Sequence, residues 1–395
     1  MLSRIHNTFG EETPDPGVVV SAANEFVSQQ VPTIVPSGAK VLVTVTFKNT
    51  SPLTWSATDG YTLVPADATT AATWGVASVP LSTTVAPGES AMFTFYIVAP
   101  SVTGTYSFRW QMNDPAGLSL GALTPATTVE VVAAGPPNYE GLWWNSPAGS
   151  EAGWGINLAH QGDTIFATWF TYDAGGKTLW LAMTAPLAST ATYSGSFFTA
   201  SGPPYTAATF DPAQVATTQV GSGTLVFTDT NTATFTYTVN GLTQTKNLTR
   251  QIFGTLPTCT FGLLSDLTQA YNYQDLWWGA PAGTQSGWGV NLTHQGDTIF
   301  ATWFTYDTDG SPLWLAATAP KTAAGTYTGD LYRTTGPAFS AVPFSPDQVI
   351  ATKVGTATFT FTDGNNGTFA YTVNGASLSK AITRQVFVGP GTVCQ

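Results

Sequence analysis

The stretch HQGDTIFATWFTYD, from His160 to Asp173, returns letter for letter from His294 to Asp307. His160 and His294 are 134 residues apart, and the same separation relates Arg250 to Arg384 without any gap between. An identical run of this length, inside a module kept in register, indicates an internal duplication. The C-terminal part of the chain therefore consists of two copies of one module.

Each copy is predicted to be a series of short strands. Runs rich in Thr, aromatic and β-branched residues alternate with turns such as Asn240-Gly241. The strands predicted in the first copy are Leu142–Asn145, Gly153–Gln161, Thr164–Tyr172, Thr178–Thr184, Thr192–Thr199, Gly221–Thr228, Thr232–Val239 and Gln244–Phe253. Eight sequential antiparallel strands favour a closed up-and-down barrel, because closure removes exposed sheet edges. A β-sandwich is the alternative.

A different unit precedes the repeats. Apolar and polar residues alternate over Val41–Phe47, Ala91–Ile97 and Thr105–Trp110, which is the rhythm of an immunoglobulin-type sandwich. We therefore predict an all-β chain with four parts. These are a flexible segment (1–22), an immunoglobulin-like domain (23–132), and two β-barrel repeats (138–258 and 272–394).

Composition limits the partners of the chain. Only 9% of its 395 residues are charged, and 12 basic residues against 23 acidic ones give a net charge of −11. Nucleic acid is not an expected partner, because a phosphate backbone requires clustered Lys and Arg. No run approaches the ~18 apolar residues that span a bilayer. No signal peptide is visible over Met1–Gly10, yet the composition favours a secreted or cell-surface bacterial protein.

The two cysteines, Cys259 and Cys394, each follow the last predicted strand of a module. One cysteine per module cannot form a bridge within that module. The pair can join to each other, join to another chain or stay free, and the sequence leaves these alternatives open.

The N-terminal unit resembles the immunoglobulin-like domain family called "next to breast cancer gene one". The residues that carry the resemblance are Phe26–Pro32, Phe47–Thr50, Thr54-Trp55, Gly60–Leu63, Thr73–Gly75, Val85–Gly88 and Gly104–Met112. In bacteria such domains accompany extracellular or envelope proteins, so the resemblance implies a spacing or adhesion role.

The duplicated module resembles a repeat appended to secreted bacterial proteins. Its pattern is carried by Trp143-Trp144, Gly153–Gly155, Asn157, His160–Asp163, Phe166–Asp173, Gly176 and Leu179–Leu181. The module is also similar to calycin barrels, which often open with Gly-x-Trp and cover the indole with an Arg from the last strand. Gly141-Leu142-Trp143 and Arg250 fit this pattern, whereas the second copy has Asp275 in place of the glycine.

Strand alternation predicts that His160 and Arg250 point into the first barrel. Inward polar groups are costly unless they are paired. One interpretation is a structural brace, in which Arg250 stacks on Trp143 or Trp144 and pairs with a carboxylate such as Asp163. The other is a barrel-mouth site for a small polar ligand.

Aromatic residues flanked by amides suggest a ligand surface, since sugars stack on flat rings and bond to amides. The run Phe166–Tyr172 carries rings on both faces, so we expect it to be buried on both or to present one face to a partner. The alternative is that most of these tryptophans are core residues. Duplication favours a binding role, because two weak sites in tandem gain avidity. The candidate ligand-binding residues are Trp143, Trp144, Trp154, Asn157, His160, Trp169, Trp180 and Arg250 in the first copy, and Trp277, Trp278, Trp288, Asn291, His294, Trp303, Trp314 and Arg384 in the second.

We expect a non-catalytic extracellular or cell-surface binding or adhesion protein, with a surface glycan or another extracellular molecule as ligand. A second hypothesis is a structural subunit of an extracellular filament or surface layer, which self-associates through the N-terminal segment. A secreted hydrolase is the third, but the chain has three His and no nucleophile-elbow motif. No cofactor or metal is expected, because no CxxC or Cys/His ligand pattern occurs.

Overall fold

A computed structural model describes residues 23–133 and 136–395, which divide into two compact units at the boundary between Ala133 and Ala134. The segment predicted to be flexible, residues 1–22, lies outside the described residues.

The first unit is an immunoglobulin-like β domain. Its strands are β1 (Asn24–Gln30), β2 (Ile34–Pro36), β3 (Lys40–Asn49), β4 (Thr62–Pro65), β5 (Val79–Pro80), β6 (Ser90–Val98), β7 (Gly104–Phe108), β8 (Trp110–Asn113), β9 (Ser119–Leu123) and β10 (Thr127–Val132). They form sheets in the orders β1-β3-β6, β2-β10-β7 and β5-β4-β8-β9. The predicted run Thr105–Trp110 divides at Arg109, because β7 pairs with β10 whereas β8 pairs with β4.

One short helix, α1 (Ala68–Trp74), follows β4 and is absent from the sequence prediction. Its N-terminus is capped by the Asp67 carboxylate, which accepts from the Thr70 backbone N–H at 2.7 Å. It ends at Gly75, whose φ of 68° is the left-handed conformation that favours glycine. Seven residues of Ala, Thr and Trp carry too weak a periodic pattern to predict such a helix.

The second unit contains two closed eight-stranded barrels. The first consists of β11 (Gly141–Asn145), β12 (Gly155–Gln161), β13 (Thr164–Tyr172), β14 (Thr178–Ser189), β15 (Thr192–Ser201), β16 (Ala216–Phe227), β17 (Thr232–Val239) and β18 (Leu242–Arg250). After β19 (Cys259–Phe261), the second consists of β20 (Asp275–Gly279), β21 (Gly289–Gln295), β22 (Thr298–Tyr306), β23 (Pro312–Ala323), β24 (Thr326–Thr335), β25 (Ile350–Phe361), β26 (Asn366–Val373) and β27 (Ala376–Arg384), and β28 (Thr392–Cys394) follows.

Each barrel is closed by pairing of its first and last strands. Trp143 of β11 lies opposite Arg250 of β18, and Trp277 of β20 lies opposite Arg384 of β27. All other neighbours are consecutive antiparallel strands. The up-and-down barrel prediction is confirmed, and the sandwich alternative is wrong for the repeats.

Strands β12 and β13 are buried on both faces. Every residue of β12 is buried, and in β13 all residues over Ala167–Tyr172 are buried. The inward Trp169 lies 4.5 Å from Tyr237, measured between ring centres. The outward Phe170 lies 5.0 Å from Trp314 of the other barrel. The rings on both faces of this run are therefore explained by one barrel packing against the other.

The contacts between the barrels are reciprocal. The Trp180 indole N–H donates to the Thr305 carbonyl at 3.0 Å, and that of Trp314, the counterpart of Trp180, donates to the Thr171 carbonyl at 2.8 Å. Both tryptophans project from the outer face of a barrel and are buried. The interface thus repeats the same contact in two opposite directions, as expected when a module packs against its own copy.

Each module also inserts a loop against the other barrel. Tyr205 packs in the core of the second barrel, where its carbonyl accepts from the Tyr371 hydroxyl at 2.7 Å. In the reverse direction Phe339, the counterpart of Tyr205, accepts from the Tyr237 hydroxyl at 3.0 Å. The two loops therefore make equivalent contacts, each with the barrel of the other copy.

The tails that follow the barrels cross over as well. The Gln161 side-chain amide donates to the Gln385 carbonyl at 2.9 Å and its oxygen accepts from the Phe387 N–H at 2.9 Å. Gln295 of the second barrel holds the tail of the first module in the same way, donating to the Gln251 carbonyl at 2.9 Å. Each tail thus packs on the barrel of the other copy.

A disulfide joins the two crossed tails. Cys259 and Cys394 are bonded to each other where β19 and β28 pair antiparallel. Of the three alternatives that the sequence leaves open, the bridge between the two modules is the one present.

Candidate functional site

Each barrel holds an Arg over a Trp at its closing strands. The Arg250 guanidinium lies 4.9 Å from the centre of the Trp143 ring, and that of Arg384 lies 5.1 Å from Trp277. The cross-strand register places both pairs, because each Arg is directly opposite its Trp. The predicted stacking of Arg250 on the β11 tryptophans is confirmed for Trp143.

The partner predicted for Arg250 is wrong. Arg250 donates to the backbone carbonyls of Thr230, at 2.9 Å, and of Glu140. Asp163 lies in the exposed turn after β12. Carbonyls satisfy the donors of a buried Arg without requiring a carboxylate at each one.

Two buried carboxylates lie near these arginines. The Glu140 carboxylate accepts from the His160 N–H at 2.6 Å, and Asp275 pairs with Arg384 at 3.3 Å. Burial and the charge of Asp275 raise the pKa of Glu140 well above its usual value. Burial also raises the pKa of Asp275 to about 6, although Arg384 opposes the rise. Asp275, which departs from the Gly-x-Trp pattern, therefore supplies a buried counter-ion.

The repeat histidines are buried and neutral. His160 Nδ1 accepts from the Tyr139 N–H at 3.0 Å, and His294 Nδ1 accepts from the Tyr273 N–H at 3.0 Å. Burial lowers the pKa of His160 to about 3 and that of His294 to about 4. This geometry favours the structural brace over a barrel-mouth site.

We expect these histidines to make the protein sensitive to acid. Unfolded histidine binds a proton near pH 6.5, whereas the folded sites bind one only near pH 4 and pH 3. Their stabilising effect is complete above about pH 6.5 and is lost as the pH falls towards these folded values. The variant His160→Asn/His294→Asn, whose amide oxygens retain an acceptor, is the comparison. As the pH falls, the free energy of unfolding of the wild type should decrease by roughly 2–3 kcal/mol per pH unit more than that of this variant.

The measurement is urea unfolding at about pH 6 and about pH 5. Asp275, whose raised pKa stabilises the fold at low pH, opposes the histidines in this range, but it is common to both proteins. Equal pH slopes for wild type and variant would contradict the buried, neutral histidines.

A cavity of about 710 Å³ lies between the two barrels. We call it the interbarrel cavity. Trp180, Phe198 and Thr199 line it from the first barrel, and Trp278 and Trp288 line it from the second. Its volume is within the range of small-molecule sites.

The lining of the interbarrel cavity combines ring faces with neutral polar groups. Its full lining is Phe166, Thr168, Trp180, Ala182, Thr184, Ser196, Phe198, Thr199, Ala200, Val215, Thr217, Leu276, Trp278, Ser286, Gly287, Trp288, Gly289, Phe304, Tyr306 and Gln385. None of these residues carries a formal charge at neutral pH. Such a surface can hold a neutral ligand by stacking and by hydroxyl hydrogen bonds.

The structure separates the predicted site residues into distinct places. Trp180, Trp278 and Trp288 meet at the interbarrel cavity. Trp144, Trp278 and Arg250 are partly buried, and the other predicted residues are buried. The predicted residues outside the cavity lining are Trp143, Trp144, Trp154, Asn157, His160, Trp169, Arg250, Trp277, Asn291, His294, Trp303, Trp314 and Arg384.

Several cavity residues were missed by sequence reasoning. Ser196, Phe198 and Thr199 lie on β15, and Phe304 and Tyr306 lie on β22 of the other barrel. The available signal was the presence of rings on both faces of the repeated HQGDTIFATWFTYD run, which indicated either burial on both faces or a surface for a partner. It could not show that the partner is the second copy.

The comparisons with known proteins concern the first unit. The family model described as the Ig-like domain from next to BRCA1 gene matches residues 30–129. A search of curated proteins gives no match for the chain. Over residues 23–133 and 136–395, no helix has the length and apolar character needed to cross a bilayer. The match over residues 30–129 supports the resemblance of the N-terminal unit that its sequence motifs predicted.

Proposed function

We propose that this is a non-catalytic, secreted or cell-surface binding protein whose ligand, a carbohydrate, occupies the interbarrel cavity. The observation that carries the proposal is the meeting of Trp180, Trp278 and Trp288 with hydroxyl side chains in one uncharged cavity. A sugar ring presents C–H groups to aromatic faces and hydroxyls to polar groups, so it matches both parts of this lining.

The other conserved features of the two copies support a scaffold. The Arg–Trp pairs lie at the closing strands of the barrels and the histidines are buried. The exchanged loops and tails hold the barrels together. A rigid junction between two barrels suits binding, because a preformed cavity orders few groups when a ligand enters. The N-terminal domain serves as the spacer in this proposal.

The test is a titration of tryptophan fluorescence with a panel of soluble oligosaccharides. A binding saccharide should shift the emission of the wild type, and Trp278→Ala should weaken its affinity by about tenfold or more, since a stacking face is lost. Tyr96→Ala, an exposed ring in the N-terminal domain, is the matched control and should bind normally.

The near-ultraviolet circular dichroism of each variant must match the wild type. A panel in which no saccharide alters the fluorescence would overturn the carbohydrate assignment, as would unchanged affinity in Trp278→Ala.

A further inference from the structure

The interbarrel cavity has an equivalent position on the other side of the junction, related by the 134-residue repeat. Fourteen of its twenty lining residues have an identical counterpart there, including Trp180 with Trp314 and Trp278 with Trp144. Duplication alone would therefore produce two like cavities. The differences between the two sides show whether both persist.

Four of the six differences fall on one strand. Ser196, Phe198, Thr199 and Ala200 of β15 are replaced by Asp330, Tyr332, Arg333 and Thr334 of β24. Each replacement is larger than the residue it replaces, and two introduce charge. The second side therefore offers less room and a different chemistry.

Two of these replacements make contacts that have no equivalent on the first side. Arg333 pairs with Asp307 at 2.6 Å. The Thr334 hydroxyl lies 3.0 Å from the Tyr172 hydroxyl and forms a hydrogen bond with it. Ala200, the counterpart of Thr334, cannot make this bond.

A glycine and a phenylalanine show the same difference directly. A Cβ placed on Gly155 would lie 2.6 Å from the Phe170 ring, so the two residues are in close contact. A Cβ on the equivalent Gly289 would have only Trp277 and Leu276 atoms within 4 Å. Phe304, the counterpart of Phe170, has therefore separated from Gly289, and both line the interbarrel cavity.

We infer that the two sides of the junction have diverged into one open and one closed site. Each chain therefore binds a single neutral ring-bearing molecule in the interbarrel cavity. Thr199 and Ala200 keep the cavity open, and Arg333 and Thr334 close its counterpart. This inference rests on the proposed function for the cavity's use, but it adds the stoichiometry, the neutrality of the ligand and the residues that decide access.

The test uses the full chain and two probes, 2-naphthol as a neutral ring and 2-naphthalenesulfonate as its charged analogue. Calorimetric titration should give one 2-naphthol per chain. The sulfonate should bind about tenfold more weakly or worse, because no cation lines the cavity.

Two variants exchange the access residues. Thr199→Arg copies the closed side and should weaken 2-naphthol binding by about tenfold or more. Arg333→Thr copies the open residue on the closed side and should leave the first site unchanged. Ala200→Thr is a smaller closing substitution and should also weaken 2-naphthol binding. It replaces Thr199→Arg in the test if that variant is unstable.

The outcomes separate the two claims. Absence of 2-naphthol binding, a stoichiometry of two in the wild type, or normal binding by both closing variants would each overturn the inference. If 2-naphthol binds as expected but no oligosaccharide does, the carbohydrate assignment fails, and the inference of a single open site stands.

Discussion

Replacement of Arg384 by alanine is expected to destabilise the second barrel by about 3–5 kcal/mol, because it leaves Asp275 as a buried carboxylate without its counter-ion. Arg384 is 3% exposed and pairs with Asp275, which is equally buried. The same side chain donates to the carbonyls of Gln274, at 2.9 Å, and Asn272, and stacks over Trp277. All of these contacts are lost together, so the effect should be among the largest of any single substitution.

Urea unfolding measures the loss, with Arg333→Ala as the matched control. Arg333 also pairs with an aspartate, Asp307, but its side chain is 33% exposed. Solvent screens such a pair, so its removal should cost about 0–1 kcal/mol. Similar losses for the two variants would contradict the buried ion pair.

A double variant isolates the orphaned charge. Arg384→Met/Asp275→Gly removes both members of the pair and places at position 275 the residue that the first copy has at Gly141. It should be more stable than Arg384→Ala, because no carboxylate remains buried without a partner. A double variant that is no more stable would mean that the carbonyl contacts of Arg384, and not its charge, dominate.

Much of the fold could be predicted from residues that act locally. Alternating side chains and turns such as Asn240-Gly241 indicated eight strands in each copy, and both turn residues have the positive φ that this turn type requires. The strand limits were less predictable. Strand β14 continues to Ser189, past its predicted end at Thr184, and β16 begins at Ala216, before its predicted start at Gly221. In both strands, backbone pairing continues where the apolar pattern stops.

The candidate site was less predictable because its residues meet only through packing between the copies. A two-residue period shows that Trp180 and Phe170 lie on the outer face of a barrel, but it does not name the surface that covers them. Trp278 and Trp288 reach the same cavity from the other barrel. The replacement of Thr199 by Arg333 is visible in the sequence, yet its meaning requires the position of both residues at the junction.

An isolated first module, residues 136–258, is expected not to remain a monomer. Without the second copy, Phe170 and Trp180 would face water, and Tyr205 would lose the core into which it inserts. Burial of one large apolar side chain contributes about 1.5–3 kcal/mol, so several together strongly favour association. Since the interface repeats its contacts in both directions, a second copy of the same module can take the place of the missing one.

The mass of the isolated module in solution tests most directly the claim that the two copies form one exchanged unit. Light scattering coupled to size-exclusion chromatography at micromolar concentration gives this mass. Residues 136–395, which contain both copies, are measured beside it for comparison. We predict a homodimer or larger species for the single module. A folded monomer, with the near-ultraviolet circular dichroism of a packed aromatic core, would contradict the account.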